Sequence, residues 1–543
     1  MHNPNVVKTF RWLVFAAFCS SVLAQSPPSI YIQPQDQAVA VGYPVFLAVG
    51  ITNSSPPYAA VQWRKASQPI PNATNSNFSP APTHSGPGYA TPSFYFVSYS
   101  LTNAQPTNAG TYSVVLSNSV DVVTSLVATV TVIPAATFIT MAGSKIGTND
   151  GMGTAAAFSY PRHVALDAAG NIYVTDYGNH TVRKITPAGM VSTVAGMPGV
   201  AGTNDGYGSD ARFINPHGIA VDRSDNLFVT DLGLGQTNGA IRKISPDGLA
   251  TTIAGSMTVS GTNDGLGGIA LFYSPWGIAV DDEDNLFVSD TLNHTLRKLS
   301  PDGTNWEVST IAGLPGSASL TDGTNSDAHF LYPDGLAVDK AHNLIVADET
   351  QIGGGNGAIR KITPVGTNWV VSSIVGPTTF NYLSAPSAVA VNTNGCLYVA
   401  DQHNHSIRKI IPDGTNWIVA TIADFSKTGI KNPNSLPHGI ALDQQGNLYV
   451  VDYGVNLVLK GWSSDSPANC ILNPPQISDG QVQLGVLVQT GSPTNFTLLQ
   501  ADQINSPWTT NSSWLMTTNI PGLNYRMTTP VDGSPFRFYR LQY

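Results

Sequence analysis

The sequence predicts an all-β protein, and three observations carry this prediction. Charged residues make up only 11% of the 543 residues, whereas 51 glycines and 38 prolines supply turns throughout the chain. No window after the first 24 residues shows a sustained helical period. The third observation is a long internal repeat, which indicates how the strands are grouped.

One pattern recurs six times between residues 161 and 460. Each copy opens with a proline and an apolar run such as 216–222 (PHGIAVD), and three further strand-like runs follow. The opening prolines are Pro161, Pro216, Pro275, Pro333, Pro386 and Pro437. Four short strands per repeat of this length are typical of a propeller blade. The sequence therefore predicts a six-bladed β-propeller over residues 135–463.

A single strand ahead of the first copy predicts how the ring closes. Residues 138–143 (FITMAG) match the last strand of a copy, such as 191–196 (VSTVAG), and the sixth copy ends without that strand. We expect the early strand to complete the sixth blade, which removes two open sheet edges.

The repeat resembles a known family. After the apolar run come an Asn-Leu-Tyr/Phe-Val-x-Asp stretch and an Asn-His stretch, the latter at Asn179-His180, Asn293-His294 and Asn404-His405. This pattern resembles the NHL repeat. The resemblance implies a propeller that serves as a binding platform for proteins, RNA or saccharides, although a few relatives are lyases. Fold alone does not decide among these functions.

Residues 25–134 are predicted to form a second β-module. The run around Trp63, followed by residues 108–112 (NAGTY), resembles an immunoglobulin-like domain, which implies that Trp63 and Tyr112 lie in the core. No cysteine stands near Leu47, and Val114 occupies the place of the family's second cysteine. The predicted sandwich is therefore held together by packing alone.

The end of the chain is predicted to form a third module. A proline-containing stretch at 464–475 is interpreted as a linker, and residues 476–543 alternate in strand fashion. The Phe538-Tyr539-Arg540 ending resembles the small C-terminal β-sandwiches of secreted bacterial repeat proteins.

Residues 1–24 resemble a secretory signal peptide. Lys8 and Arg11 precede the apolar run 12–22, and Ala24 ends a small-residue cleavage pattern. We expect a mature chain that begins at Gln25, without an integral membrane segment, in the extracellular space or cell envelope. The alternative is an uncleaved anchor, although the run is short for a bilayer.

The charge balance and the cysteines limit the partners. A formal net charge of −9 argues against nucleic acid, which requires clustered Lys and Arg. Cys396 and Cys470 lie in different predicted modules, so no disulfide framework is indicated. The expected state is a monomer with a protein or polysaccharide ligand.

The candidate site follows from a position that varies beside an otherwise regular run of the repeat. The residue after each opening proline is predicted to ring the mouth of the central channel. Together with His163, the ligand-binding candidates are Arg162, His217, Trp276, Asp334, Ser387 and His438. Variation on an otherwise regular scaffold is typical of a binding site.

The sequence leaves two cofactor alternatives open, zinc and calcium. His217 and His438 could hold zinc, as histidines do in the channel of the family's amidated-peptide lyases, but a third ligand is not evident. The Gly-Thr-Asn-Asp-Gly loops at 147–151, 202–206 and 261–265 could bind calcium, although a tight turn is the favoured interpretation. We expect no cofactor.

Two further sets of residues recur from blade to blade. Trp306, Trp369 and Trp417 follow Gly-Thr-Asn and form either a secondary aromatic platform or hairpin contacts, which we favour. Arginines of the third strand are expected to pair with aspartates of the second strand, as Arg242 with Asp231, whereas Asp452 of blade 6 has no such arginine.

The sequence thus favours a non-enzymatic binding protein over an enzyme. The competing hypothesis is a lyase or hydrolase that uses His217, His438 and Arg162 at the channel mouth.

Overall fold

The computed structural model describes residues 27–52, 60–73, 79–80, 95–118, 120–349, 356–376, 383–414, 416–426 and 432–462, together with the backbone of the strands between 470 and 542. The predicted signal at 1–24 and most of the predicted linker lie outside the described residues. The described chain is all-β, as predicted, and divides into two compact units. The smaller unit comprises residues up to 36, 45–101 and 110–130; the larger comprises 37–44, 102–109 and 131–543.

Helical structure is confined to short 3-10 turns in the described residues, and none of it is long and apolar enough to cross a membrane. The turns are Pro106–Asn108, Gly153–Ala155, Tyr177–Asn179, Gly208–Asp210, Leu234–Gln236, Gly267–Ile269, Thr291–Asn293, Asn325–Asp327 and Gln402–Asn404.

The smaller unit contains antiparallel sheets. One has the strand order Ser29–Ile32, Val45–Thr52, Tyr95–Leu101, Ser79–Pro80. Another contains, in order, Ala128–Ile133, Gly110–Ser117, Ala60–Lys65 and Gln68–Pro69, with Val122–Thr124 paired to Gly110–Ser117. A further strand, Gln37–Ala40, groups with the larger unit.

The core of the smaller unit is apolar and aromatic. Trp63 and Tyr112 are buried, and the Tyr99 ring lies 6.0 Å from Trp63 and 6.1 Å from Tyr112 between centroids. Leu47 and Val114 are also fully buried. Trp63 and Tyr112 thus lie in a core, as the resemblance implies, and the immunoglobulin-like sandwich stays a prediction.

Six antiparallel sheets in the larger unit form the blades of a propeller. The innermost strands of blades 1 to 6 are Pro161–Leu166, Asn215–Val221, Pro275–Val280, Tyr332–Val338, Pro386–Val391 and Pro437–Leu442. The second strands are Ile172–Asp176, Leu227–Leu232, Leu286–Asp290, Leu344–Glu349, Leu397–Asp401 and Asn447–Asp452. Each innermost strand contacts that of the next blade, and blade 6 contacts blade 1. This cyclic order closes the ring.

The outer half of each blade completes its sheet. The third strands are Thr181–Ile185, Gly239–Ile244, Thr295–Asp302, Asn356–Val365, Ser406–Asp413 and Leu457–Trp462. The fourth strands of blades 1 to 5 are Met190–Ala195, Leu249–Ser256, Asn305–Ala312, Asn368–Val375 and Asn416–Asp424. Short edge strands follow on blades 1 to 4 at Gly151–Met152, Gly206–Tyr207, Gly265–Leu266 and Gly323–Thr324, and Leu383–Ser384 pairs with Asn356–Val365.

The fourth strand of blade 6 comes from the start of the propeller. Thr137–Ala142 pairs antiparallel with Leu457–Trp462, from Thr137 opposite Trp462 to Ala142 opposite Val458. Phe138 also packs edge-on against Phe425 at 5.1 Å between ring centroids. The ring closes with the strand that the repeat pattern predicts.

The cores lie between neighbouring blades. Phe228 and Ile241 of blade 2, for example, cluster with Phe272, Ile278 and Val288 from the chain that enters and builds blade 3. Phe158, Phe213 and Phe330 enter three of the other interfaces and are fully buried. Burial between blades fixes each innermost strand beside the central channel.

The last part of the chain forms further antiparallel sheets. One has the order Cys470–Leu472, Gln481–Val488, Asn524–Pro530, Leu515–Ile520, with Gln476–Ser478 on Gln481–Val488. The other has the order Thr509–Thr510, Thr497–Ala501, Phe538–Gln542. The sandwich arrangement of these sheets stays a prediction.

Candidate ligand-binding site at the channel mouth

A β-bulge in the innermost strand of each blade positions the candidate residues. In blade 1 the pairing with the second strand runs from Leu166 to Val164, breaks, and resumes at Pro161. A break also follows the opening proline of the other five blades, and it is one residue shorter in blades 5 and 6. A bulge takes residues out of the ladder and redirects their side chains, so the residues after the opening prolines leave the alternation of the sheet.

Hydroxyl groups of the second strands anchor these bulges and link each blade to the next. Thr175 Oγ1 accepts a hydrogen bond from the His163 backbone N–H at 3.0 Å and donates to the His217 carbonyl at 2.5 Å. Thr230 makes the same two bonds to the bulges of blades 2 and 3, each at 2.7 Å. Ser289 donates to the bulge of blade 4 at 2.6 Å. These hydrogen bonds from the second strands hold the backbone of the bulges in place.

Glycines in the bulges allow the innermost strands to approach closely. A β-carbon on Gly218 would lie 2.3 Å from the Trp276 carbonyl oxygen, and one on Gly277 would lie 2.2 Å from that of Asp334. Blade 1 carries His163 at this position. The His163 imidazole therefore lies at a position where four other repeats have glycine and no side chain.

A pocket of about 290 Å³ lies at the bulges. It is lined by Arg162, Tyr177, His217, Gln236, Trp276, Glu349, Ala385, Gln402, His403, Leu436, His438 and Tyr453. The Arg162 guanidinium lies 4.2 Å from the ring centroid of Tyr453 and 4.9 Å from that of Tyr177. Trp276 stacks on His217 with a centroid distance of 5.3 Å and an angle of 24°. The guanidinium can bind an anionic group of a ligand, and the flat indole ring of Trp276 can stack on a ring of the ligand.

A buried polar cluster adjoins the pocket. The ring centroid of His163 lies 5.3 Å from that of His217 and 5.1 Å from that of His438, and the latter two lie 5.4 Å apart. His163 Nε2 is 3.6 Å from Asp334 Oδ1, so side chains of blades 1 and 4 meet across the ring. All four residues are more than nine-tenths buried.

Burial sets the protonation of these groups. It is the main cause that lowers the pKa of His217 and His438 well below the ordinary range, and the positive charge of Arg162 lowers it further. Burial likewise raises the pKa of Asp334, against the opposing effects of His163 and Arg162. Both imidazoles are thus neutral near pH 7.

Glu349 is a second buried carboxyl group at this end of the channel. Burial raises its pKa well above the ordinary range, and the carboxyl group of Asp334 adds to the effect, whereas Arg162 opposes it. A neutral carboxyl group donates as well as accepts hydrogen bonds. Glu349 therefore offers a ligand both kinds of polar contact.

The predicted candidates divide into three groups. Arg162, His217, Trp276 and His438 line the pocket. His163 and Asp334 lie in the buried cluster. Ser387 is fully buried, and its hydroxyl donates to the His438 carbonyl at 3.0 Å, so it links blade 5 to blade 6 as Thr175 links blade 1 to blade 2.

Several residues that line the pocket were not among the candidates predicted from the sequence. Tyr177, Glu349, Gln402 and Tyr453 each follow the aspartate at the end of the apolar run of a second strand. This position varies from blade to blade, as the position after the opening proline does. It is the signal that would have found these residues. His403 and Gln236 lie on the turns that follow, at positions where the repeats differ.

The three tryptophans of the Gly-Thr-Asn-Trp repeat pack onto the preceding blades. Trp306 meets Phe228 of blade 2 at 5.5 Å between ring centroids, and Trp369 meets Phe287 of blade 3 at 5.8 Å. Trp417 packs on the core between blades 4 and 5. All three are half-buried. They join neighbouring blades and do not pack only on their own hairpins, which differs from the favoured interpretation of the sequence.

The predicted pairs of arginine and aspartate are confirmed in blades 1 to 5. The shortest N–O distances between second-strand aspartate and arginine run from 2.7 to 3.3 Å. The pairs are Asp176–Arg183, Asp231–Arg242, Asp290–Arg297, Asp348–Arg360 and Asp401–Arg408. Asp452 of blade 6 instead accepts hydrogen bonds from the Ser435 hydroxyl and the Leu436 backbone N–H.

Three Asn-Asp-Gly loops and one Thr-Asp-Gly loop contribute a second carboxylate to four of these pairs. Asp150 contacts Arg183 at 2.6 Å, and it also accepts hydrogen bonds from the backbone and hydroxyl of Thr193. Asp205, Asp264 and Asp322 make the equivalent contacts with an arginine and an outer-strand threonine or serine on blades 2 to 4. Each loop carboxylate therefore contacts both the outer strand and the buried arginine. Its oxygens already accept hydrogen bonds from the protein.

Three segments of the chain match the NHL repeat, at residues 158–185, 272–299 and 434–460. NHL repeat-containing protein 2 from Homo sapiens is 29% identical over 303 residues, which are 48% of this chain and 40% of that protein. The chloroplastic protein SUPPRESSOR OF QUENCHING 1 from Arabidopsis thaliana is 39% identical over 88 residues, 16% of this chain and 8% of that protein. The chain thus spans less than half the length of these relatives.

A solved structure of a protein of unknown function from Bacteroides thetaiotaomicron is 17% identical, with a TM-score of 0.32, over 81% of this chain and 98% of that one. The repeat pattern, the closed ring of six blades and the three matching segments agree with one another. The chain contains NHL repeats, and they lie in blades of its propeller.

Proposed function

We propose that this chain is a non-enzymatic binding protein whose propeller holds a segment of a partner protein at the mouth of its channel. The observation that carries the proposal is the placement of Arg162 between Tyr177 and Tyr453 at the pocket. Its Nε has no hydrogen-bond partner among the described residues. A guanidinium held by aromatic rings is preorganised to bind a carboxylate.

The rest of the mouth indicates what accompanies that carboxylate. Trp276 is half-buried and presents a ring stacked on His217, which suits an aromatic, proline or other flat group of the ligand. The volume of about 290 Å³ is at the lower end for ligand pockets, so it fits a short segment of a partner. We expect an acidic residue near an apolar or aromatic residue in that segment.

The test combines peptide and glycan arrays with the purified mature chain, followed by titration of a labelled peptide from the array. Arg162→Ala should weaken the Kd by roughly 10–100-fold, because a hydrogen bond to a charged group contributes about 1.5–3 kcal/mol. Arg223→Ala is the matched control, since that arginine is largely exposed and pairs with Asp282. Binding that neither Arg162→Ala nor Trp276→Ala alters would contradict the proposal.

The same experiment decides between the alternatives. Binding to glycans alone, lost with Arg162→Ala, would indicate a polysaccharide ligand at the same mouth. Conversion of the bound peptide or glycan, lost with His217→Ala, would indicate the lyase or hydrolase hypothesis. Mass spectra of the ligand before and after incubation distinguish turnover from binding.

We also infer that the protein acts as a monomer outside the cytoplasm. The support for a location outside the cytoplasm is the signal-like pattern of residues 1–24. Expression with these residues in place should release a chain that begins at Gln25, as read by N-terminal mass spectrometry. A full-length chain retained in the cytoplasm would contradict this inference, and light scattering reports the oligomeric state.

A further inference from the structure

The buried cluster beside the pocket brings together side chains from blades that are distant in the sequence. His163 belongs to the bulge of blade 1, His438 to that of blade 6, and Asp334 to that of blade 4. One ligand-capable atom from each of the three lies within 4.8 Å of the others. His217 of blade 2 lies against both histidine rings.

The polar atoms of this cluster are unsatisfied. His163 Nε2, His438 Nδ1 and both carboxylate oxygens of Asp334 are buried without a hydrogen-bond partner among the described residues, and so is His217 Nδ1. Buried polar atoms almost always have a partner. Several of them close together in one place indicate that the fold provides for an additional group that the chain itself does not supply.

We propose that His163, Asp334 and His438 form a binding site for a divalent first-row transition metal ion, with Zn²⁺ as the expected occupant. Two imidazoles and a carboxylate are a ligand set that Zn²⁺ uses in proteins, with coordination positions left for water or a ligand. Mg²⁺ and Ca²⁺ prefer all-oxygen sites, so the two imidazoles select against them. The proposal concerns the buried cluster and is independent of the function proposed for the mouth.

The distances fit such an ion after a small adjustment. Ligand atoms about 2.0–2.2 Å from a tetrahedral Zn²⁺ lie roughly 3.3–3.6 Å from one another. His163 Nε2 and Asp334 Oδ1 already lie 3.6 Å apart. The widest separation, within 4.8 Å, requires the side chains to close by about 1 Å, which a χ rotation of one histidine or of the aspartate provides.

The outer contacts support the same orientation. The backbone of Arg162 lies beside the His438 ring, and the backbone of Trp276 lies beside the His217 ring. In both rings Nδ1 is the atom left without a partner. In a metal-binding histidine, the ring nitrogen that does not bind the metal usually faces a backbone carbonyl or a carboxylate. This outer contact fixes the tautomer and the ring orientation.

Metal binding is measured directly on the full mature chain. After dialysis against a chelator, and with circular dichroism to confirm the folded state, Zn²⁺ is titrated by calorimetry and Co²⁺ by its visible absorption. We expect one ion per chain and the intense absorption bands of low-symmetry Co²⁺. Absence of saturable binding of either ion to the folded chain would overturn the proposal.

Variants locate the site. Loss of an outer contact raises the Kd of a metal ion by roughly 10–100-fold. His438→Ala and Asp334→Asn, which remove a ligand, should each raise it by more than that. His342→Ala is the control, because that histidine is exposed and lies near Asp282 on another surface. One ion bound with equal affinity by all three variants would place the metal elsewhere and overturn the assignment. Should His438→Ala fail to fold, the near-isosteric Asp334→Asn decides alone.

Discussion

Gly277 of blade 3 lies so close to Asp334 of blade 4 that a β-carbon on the glycine would be 2.2 Å from the aspartate carbonyl oxygen. Any side chain at this position forces two innermost strands apart. Gly277→Ala should therefore lower the free energy of unfolding by about 1–3 kcal/mol, the usual cost of overpacking. Chemical denaturation measures the change.

Gly268→Ala is the matched control for this prediction. Its β-carbon would have only the Gly255 carbonyl oxygen nearby, at 4.0 Å. The control should retain the stability of the wild type within about 0.5 kcal/mol. Equal stabilities of the two variants would contradict the close approach of the strands.

The buried arginines hold the blades together. Arg242 is fully buried, and it contacts Asp231 at 3.3 Å and Asp205 at 2.9 Å. Arg242→Leu leaves a buried carboxylate without its cation, so the free energy of unfolding should fall by about 3–5 kcal/mol. Arg223→Leu on the surface is the control, and ligand affinity of the folded variant should not change. An unchanged melting temperature for Arg242→Leu would show that the pair is not structural.

The asparagines of the Asn-His stretches tune these aspartates. Asn179 donates to Asp176 at 2.8 Å, and Asn293 donates to Asp290 at the same distance. Burial raises the pKa of both aspartates to about 6. Blade 2 has no such asparagine, and burial raises the pKa of Asp231 to about 7.

Asn179→Ala should therefore destabilise the protein in a pH-dependent manner. A carboxyl group whose folded pKa is raised contributes stability at low pH, and this contribution is lost as the pH rises through the folded pKa. Loss of the Asn179 hydrogen bond raises the pKa of Asp176 further, so the variant should lose on the order of 1 kcal/mol more stability at pH 8 than at pH 5. Urea titrations at both pH values measure this. A pH-independent loss, or the same profile for the exposed Asn394→Ala, would argue against the tuning.

The closing strand of the ring also has a measurable role. Phe138 lies 5.1 Å from Phe425 between ring centroids, in the core between blades 5 and 6. Phe138→Ala should cost roughly 2–4 kcal/mol and increase hydrogen exchange first in Leu457–Trp462, its partner strand. Exchange that increases evenly over all blades would contradict closure through this strand.

The ring and its closure were predictable because a strict repeat imposes the same strands on each blade. The pairing of Asp231 with Arg242 followed from the same regularity, since five copies stand in equivalent places. The contribution of Asp205 was not predicted, because an Asn-Asp-Gly loop is sufficiently explained as a turn. Only the fold shows that this loop lies over the arginine of its own blade.

The buried cluster could be predicted only in part. His163 stands where four of the six repeats have glycine, which marks the position as unusual. That it meets Asp334 depends on the bulges and on the diameter of the ring, because the two residues are 171 positions apart. Such convergence across a channel leaves no periodic signal in the sequence.

Hydrogen–deuterium exchange of the mature chain with and without its array-selected peptide tests the binding mouth most directly. We expect protection of the backbone around Arg162, Trp276 and His438, and of the turn that follows Asp452. Protection confined to the hairpins of Trp306, Trp369 and Trp417, with no change at the bulges, would contradict a binding site at the mouth of the channel.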